Sequence, residues 1–312
     1  MALNGKAIKQ RIKSVKNTKK ITKAMEMVSA AKMRKAVQAV VATRTYATLA
    51  KKLMEKLSET GEIRSALTEV RPLTRVLVIL FSSNRGLAGS FNSNIFKKTQ
   101  SILLQPETFG EVGSEGVTYD VIGIGKRSAY FAKRYGYTLV GAYDSIRDNP
   151  SVEDIMPIAT FALEKFREKT YDGVVVGYTD FKSSIVQIPR VRTLLPISKK
   201  DIEALSGDST TPNVRRDAVS HEDEEEEQHE FEPSAEIVLE TVLPRLFEIQ
   251  LYQTLLESRA SEHSARMVAM KNATEAAGDM IGYLTVEFNK ARQAGITKEI
   301  AEIAGGAAAL EN

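Results

Sequence analysis

From Lys6 to Thr60 the chain contains neither glycine nor proline, the two residues that most disfavour a helix interior. Gly5 precedes this run and Gly61 follows it directly, and glycine is a common helix stop. Ala, Lys, Met, Leu and Arg fill most of the interval. Apolar and small positions recur in steps of three and four: Ile8, Ile12, Val15, Thr18, Thr22, Met25 and Val28, then Ala36, Val40, Ala50, Leu53 and Leu57. Such a narrow stripe resembles a coiled-coil seam more than a broad core face. A continuous helix of this length measures about 80 Å, whereas a domain of ~140 residues has a radius of gyration of only about 14 Å. The helix therefore outruns any domain of its own, and other surfaces must cover it.

Its charge narrows what those surfaces are. Between Lys6 and Lys35 there are eleven basic residues and a single acid, Glu26. The spacing is about one positive charge per 4 Å of helix, inside the ~8 Å Debye length of physiological salt. Screening leaves the self-repulsion in place, so the segment calls for an acidic neighbour.

The rest of the 312 residues bounds the function. The net charge is only +3 because an acidic run near residue 225 offsets the basic one. With no cysteine, disulfides, thiol catalysis and Cys-ligated metal centres are excluded. The longest apolar run, Val76–Phe81, is too short to span a bilayer. No secretory h-region follows the N-terminus, so the expectation is mature structure from the first helix onward.

In the middle of the chain the period changes. Arg75–Phe81 is a continuous β-branched and apolar run, as in a strand buried on both faces. It leads through Ser83-Asn-Arg-Gly-Leu-Ala-Gly-Ser-Phe-Asn92 into a helix ending near Leu104. Strands are expected at Tyr119–Ile124, Tyr137–Ala142, Tyr171–Tyr178 and Ile185–Leu195, with helices at Lys126–Arg134 and Val152–Lys169. The last two strands pair antiparallel through Lys182-Ser-Ser184, and Pro189 puts the final one at an edge. Alternation of this kind defines a doubly wound α/β domain over residues 70–197. The Gly86-x-x-Gly89 element sits where a strand hands over to a helix, the usual place for a phosphate cradle, but it matches neither glycine-rich nucleotide pattern. A tight structural turn is the reading it supports. Residues 198–232 read as an exposed acidic loop, in which His221 and His229 flank carboxylates without metal-site spacing.

From residue 233 to 312 the helical period returns. Pro244 is expected to bend the helix early, and Gly295 late. A seam runs Ile249, Tyr252, Leu256, is interrupted by the polar stretch Glu257–Arg266, and resumes at Met270, Ala273, Ala277, Ile281, Leu284, Phe288 and Ala291. Two seams, one in residues 1–60 and one in 233–312, predict an antiparallel coiled coil made by the chain's two ends. The charges do not cancel within that pair. Glu257–Glu287 carries a net −2, against +10 for Lys6–Lys35. An outside partner bearing carboxylates is implied.

Several long blocks carry a resemblance. Ile12-Lys-Ser-Val-Lys-Asn-Thr-Lys-Lys-Ile-Thr-Lys-Ala-Met-Glu-Met-Val-Ser-Ala-Ala-Lys-Met-Arg34, Ser83–Asn92, Leu255–Gly278 and Asn289–Ile303 resemble, in order, segments of the γ subunits of F-type ATP synthases. The resemblance covers the chain except for residues 200–230, which form a longer acidic stretch than the family pattern. It implies two long terminal helices in an antiparallel coiled coil with a central doubly wound, Rossmann-like sheet domain. It also implies a rotor shaft without catalytic residues, cofactor or metal. The partners it implies are the α and β subunits in 3:3:1 proportion with this chain, the ε subunit and the membrane c-ring, with no nucleic acid. The location it implies is peripheral, on the cytoplasmic side of a bacterial inner membrane. Carried over block by block, Lys23, Met25 and Arg34 on the first helix, and Arg266, Met267 and Lys271 on the second, would face the α–β collar. From spacing alone, Met25 reads as a seam residue and Arg266 as the partner of Glu262. A nucleotide-binding α/β enzyme with helical oligomerisation arms is the competing reading, and a nucleotide-binding measurement on the isolated chain separates the two.

Overall fold

The computed structural model describes residues 5–59, 65–114, 116–197 and 235–310. In chain order the elements are α1 (Gly5–Glu59), β1 (Arg75–Phe81), α2 (Phe91–Leu103), β2 (Thr118–Ile124), α3 (Lys126–Tyr135), β3 (Thr138–Tyr143), α4 (Met156–Arg167), β4 (Gly173–Phe181), β5 (Gln187–Leu195) and α5 (Ala235–Leu310). Two units divide both long helices. One holds Met1–Ser29 and Arg266–Asn312, the other Ala30–Ala265. The acidic stretch with His221 and His229 lies outside the described residues.

The second unit is built on one sheet of order β3-β2-β1-β4-β5. The first four strands are parallel, and Val78 of β1 pairs with Val121 of β2 and Val175 of β4. β5 closes the sheet antiparallel, with Pro189 opposite Thr179, on an edge that tolerates its missing N–H. Strand alternation sends the residues of β1 to two cores. Leu77, Ile79 and Phe81 join α4 and the start of α5 through Ile158, Phe166, Phe247 and Leu251. Val76, Val78 and Leu80 join α2 and α3 through Ile95 and Phe131. Covering on both faces is what an uninterrupted apolar run requires.

Two expectations change, one at the start of α4 and one in the first seam. The segment expected as one helix from Val152 to Lys169 opens with a 3-10 turn at Val152–Asp154. Ser151 and Asp154 close a capping box there, with the Ser151 N–H donating to Asp154 at 2.8 Å. Only then does α4 begin. Lys169, at φ 60°, lies beyond its end. The last helix runs unbroken through Pro244 and Gly295. Around Pro244 the neighbours Leu243, Leu246 and Phe247 are at most 1% exposed, and that burial outweighs one lost backbone hydrogen bond. Thr18 and Val28, expected in the first seam, are exposed, Val28 by 55%, and Ser29 is buried instead.

In the first unit α1 and α5 pair antiparallel. Thr22 and Thr274 bring their hydroxyls to 2.8 Å. Gly278 lies beside the Lys19 ammonium and Gly5 beside the Phe288 ring, so the numbering rises along one helix as it falls along the other. Buried and half-buried positions keep a seven-residue repeat: Ile8, Val15, Thr22 and Ser29 on α1, and Met270, Ala277, Leu284 and Ala291 on α5. A strict heptad spacing is the signature of a left-handed coiled coil. At most of these positions the side chains are small or flexible rather than large and branched.

Candidate functional site

Beside this seam lies a groove of about 1340 Å³ with an apolar floor that includes Ile12, Met27 and Ile281. Seven lysines line it: Lys6, Lys9, Lys13, Lys16, Lys19, Lys20 and Lys23. No carboxylate is among its lining residues. The helix period explains the clustering, because positions three, four and seven apart share a face. Ile21, Met27 and Val28 are 61%, 58% and 55% exposed, and Met280, Tyr283 and Val286 are 47%, 66% and 53% exposed. Exposed apolar side chains next to dense positive charge form a surface suited to a protein partner with carboxylates and apolar anchors.

The six residues expected at the collar differ in how far they are presented. Lys23 is exposed and pairs with Glu26 at 3.0 Å. Arg34 and Lys271 are exposed, and Met25 and Met267 are half-buried. Arg266 is buried, with only 7% of its surface exposed. Glu262, four residues before Arg266, accepts from Arg259 Nη1 at 2.9 Å, and both members of that pair are buried.

The Gly86–Gly89 element is a tight turn. Leu87 and Gly89 both have positive φ, 64° and 56°. Its flanking polar groups satisfy one another: the Ser83 N–H donates to Asn92 Oδ1 at 3.0 Å, the Asn92 amide to Ser83 Oγ at 2.7 Å, and the Asn84 amide to the Asp144 carbonyl at 2.8 Å. These groups are already engaged in holding β1, α2 and the loop after β3 together.

Sequence reasoning missed the stretch Gln250–Ser264. By sequence a polar stretch, Glu257–Arg266, interrupts the seam after Leu256, yet Gln250, Gln253, Glu257, Arg259, Ser261, Glu262, His263 and Ser264 are all buried. Within the second unit this stretch meets polar backbone. Ser261 Oγ donates to the Thr179 carbonyl at 3.0 Å, Ser264 Oγ to the Ser184 carbonyl at 2.7 Å, and Tyr252 OH to the Pro150 carbonyl at 3.0 Å. Nearby, Lys32 donates to Asp148 at 2.5 Å. That bond, with the positive fields of Lys32, His263 and Arg259, holds the Asp148 carboxyl below its usual range despite some burial. One signal was available: small hydroxyls at Ser258, Ser261 and Ser264 sit three residues apart, on one side of the helix.

The architecture comprises two units, one a doubly wound sheet unit and the other a two-helix coiled coil. The ATP synthase family model matches residues 4–310. An ATP synthase gamma chain of Chloroflexus aurantiacus is 40% identical over 311 residues, covering 98% of this chain and 99% of the relative. One of Roseiflexus castenholzii is 42% identical over 306 residues, covering 97% of each. A chain in the cryo-EM structure of the Euglena gracilis mitochondrial ATP synthase OSCP/F1/c-ring assembly has the same fold, with TM-score 0.65 and 20% identity over 98% of this chain and 94% of that one. The chain belongs to the ATP synthase gamma-chain family.

Proposed function

We propose that this chain is the rotor shaft of an ATP synthase, carrying ion flow through a membrane ring to the nucleotide sites of an α–β hexamer. The observation that supports this most directly is near-complete coverage, at 40% identity, by a gamma chain. The lysine-lined groove adds the surface such a shaft needs. Its work is differential contact: as the shaft turns, each catalytic site meets a different side of it and favours a different conformation.

On this reading Lys23, Met25, Arg34, Met267 and Lys271 meet the collar, and carboxylates on the catalytic subunits sit in the groove. Arg266 joins them through the position of its helix, since its own guanidinium is buried. The chain assembles one to three α and three β, with ε and the c-ring at the sheet unit. It is held peripherally on the cytoplasmic side of the membrane. Among the described residues no helix is long and apolar enough to cross a bilayer, which suits attachment through partners.

A tagged chain recovered from detergent-solubilised membranes should bring ATP-hydrolysing subunits with it in 3:3:1 proportion. Recovery of the chain without them would overturn the reading. Because the chain has no cysteine, a single cysteine introduced at Met25 and joined to one on the collar should halt coupled turnover until the link is reduced.

A further inference from the structure

We propose that Gln250, Tyr252, Arg259, Ser261 and Ser264 form a torsional clamp that stops the last helix from turning inside its own sheet unit, so that torque passes between them without slip. The inference rests on the rotor function and is independent of the collar contacts proposed above.

A shaft that transmits torque needs a joint that resists rotation about the helix axis. Apolar packing is non-directional, so it holds a helix against a sheet but only weakly fixes its rotation. Hydrogen bonds depend steeply on angle, and a bond anchored on fixed backbone resists being turned. At 3.6 residues per turn, Gln250, Ser261 and Ser264 lie within about 60° of one another, and Tyr252 and Arg259 lie about 180° away from Gln250.

The partners divide in the same way. Gln250 accepts from Arg192 of β5 at 3.2 Å. Ser261 donates to Thr179 of β4, and Ser264 to Ser184 in the β4–β5 turn. Ser264 also accepts from Gln187 at 3.3 Å. On the opposite side, Tyr252 donates to the Pro150 carbonyl, and Arg259 Nη2 to the Ile146 carbonyl at 3.4 Å. Sheet carbonyls and an arginine grip one side, and the loop between β3 and α4 grips the other. A turn in either direction stretches bonds on both sides at once. Most of these partner atoms are main chain, of β4 at Thr179 and of the turn and loop that adjoin the strands at Ser184, Ile146 and Pro150, so the grip is tied to backbone rather than to rotatable side chains.

The test uses the assembled complex with the triple variant Tyr252→Phe, Ser261→Ala and Ser264→Ala, which deletes hydroxyls and leaves the apolar packing in place. The rotor is stalled, and the angular fluctuations of a bead fixed to the sheet unit are measured. For bonds acting as parallel springs, angular variance should rise about two- to threefold, while hydrolysis without load stays within about twofold of the parent. The conservative variant Ser261→Thr, which keeps the hydroxyl, should retain the parent stiffness. Unchanged variance in the triple variant overturns the clamp. If that variant fails to assemble, Tyr252→Phe and Ser261→Ala are read singly, and unchanged variance in both overturns it equally. A parent complex in which this chain never turns under ATP counts against the rotor function instead.

Discussion

At the scale of single residues, the structure marks sites where one atom decides the outcome. Thr99 on α2 is fully buried, and its hydroxyl finds no hydrogen-bond partner among the described residues. A buried, unsatisfied hydroxyl costs free energy that a methyl group of the same shape does not. Thr99→Val should therefore stabilise the chain by about 1 kcal/mol, seen as a higher urea midpoint with unchanged slope. Asp148 works in the opposite sense. Its carboxyl is held below its usual range in the folded chain, first by the Lys32 hydrogen bond. A depressed carboxyl stabilises the fold above its unfolded pKa, and that contribution is lost as pH falls through the lowered value. The side chain is 53% exposed, so solvent screening keeps the effect small. Asp148→Asn should lower the urea midpoint at pH 7, and the difference from the parent should shrink steadily as the pH falls below about 4.

At the scale of elements, the turn from β2 into α3 is tightly constrained. Gly125 has φ +90°, and a Cβ there would lie 2.2 Å from the Ser82 carbonyl oxygen. The atoms it would meet first are those of the Ser82 carbonyl, just past the end of β1, main chain that cannot swing aside as a side chain can. Gly125→Ala should cost about 2–4 kcal/mol, measured by thermal or urea unfolding. How much of the fold was legible follows the same distinction between local and distant causes. The strand at Arg75–Phe81 was legible because burial on both faces leaves no polar position from Val76 to Phe81. The edge place of β5 was legible from Pro189, whose missing N–H is a property of the residue itself. What sustains the helix at Pro244 was not, because it is the burial of Leu243, Leu246 and Phe247 against a sheet distant in sequence. Nor was the buried character of Gln250–Ser264. Polarity usually signals solvent, and here it signals carbonyls of β4 and nearby loops, which only the tertiary fold supplies. The turn at Gly86–Gly89 was legible in part, since the Ser83 and Asn92 groups that flank it bond each other nine residues apart, whereas the Asp144 carbonyl that holds Asn84 is distant in sequence.

At the scale of the whole molecule, charge separates two kinds of arginine and lysine that look alike in sequence. Lys13, Lys16 and Lys20 are exposed and line the groove, so their charge is available to a partner and contributes little to folding. Arg266 is buried, so its charge belongs to the fold. Reversing Lys13, Lys16 and Lys20 to Glu takes the Lys6–Lys35 stretch from +10 to +4. The triple reversal should leave the urea midpoint of the isolated chain unchanged within experimental error and weaken its capture by the α–β hexamer at least about tenfold at low salt. In ~1 M salt the Debye length falls to about 3 Å, and the deficit should largely disappear. Arg266→Glu should give the reverse pattern: a lowered unfolding midpoint in the isolated chain, from a buried charge of the wrong sign, and a capture defect that salt does not correct. If the lysine reversals instead unfolded the chain, or weakened capture equally at high and low salt, the groove would owe its lysines to the fold, and the case for a carboxylate-bearing collar around it would fail.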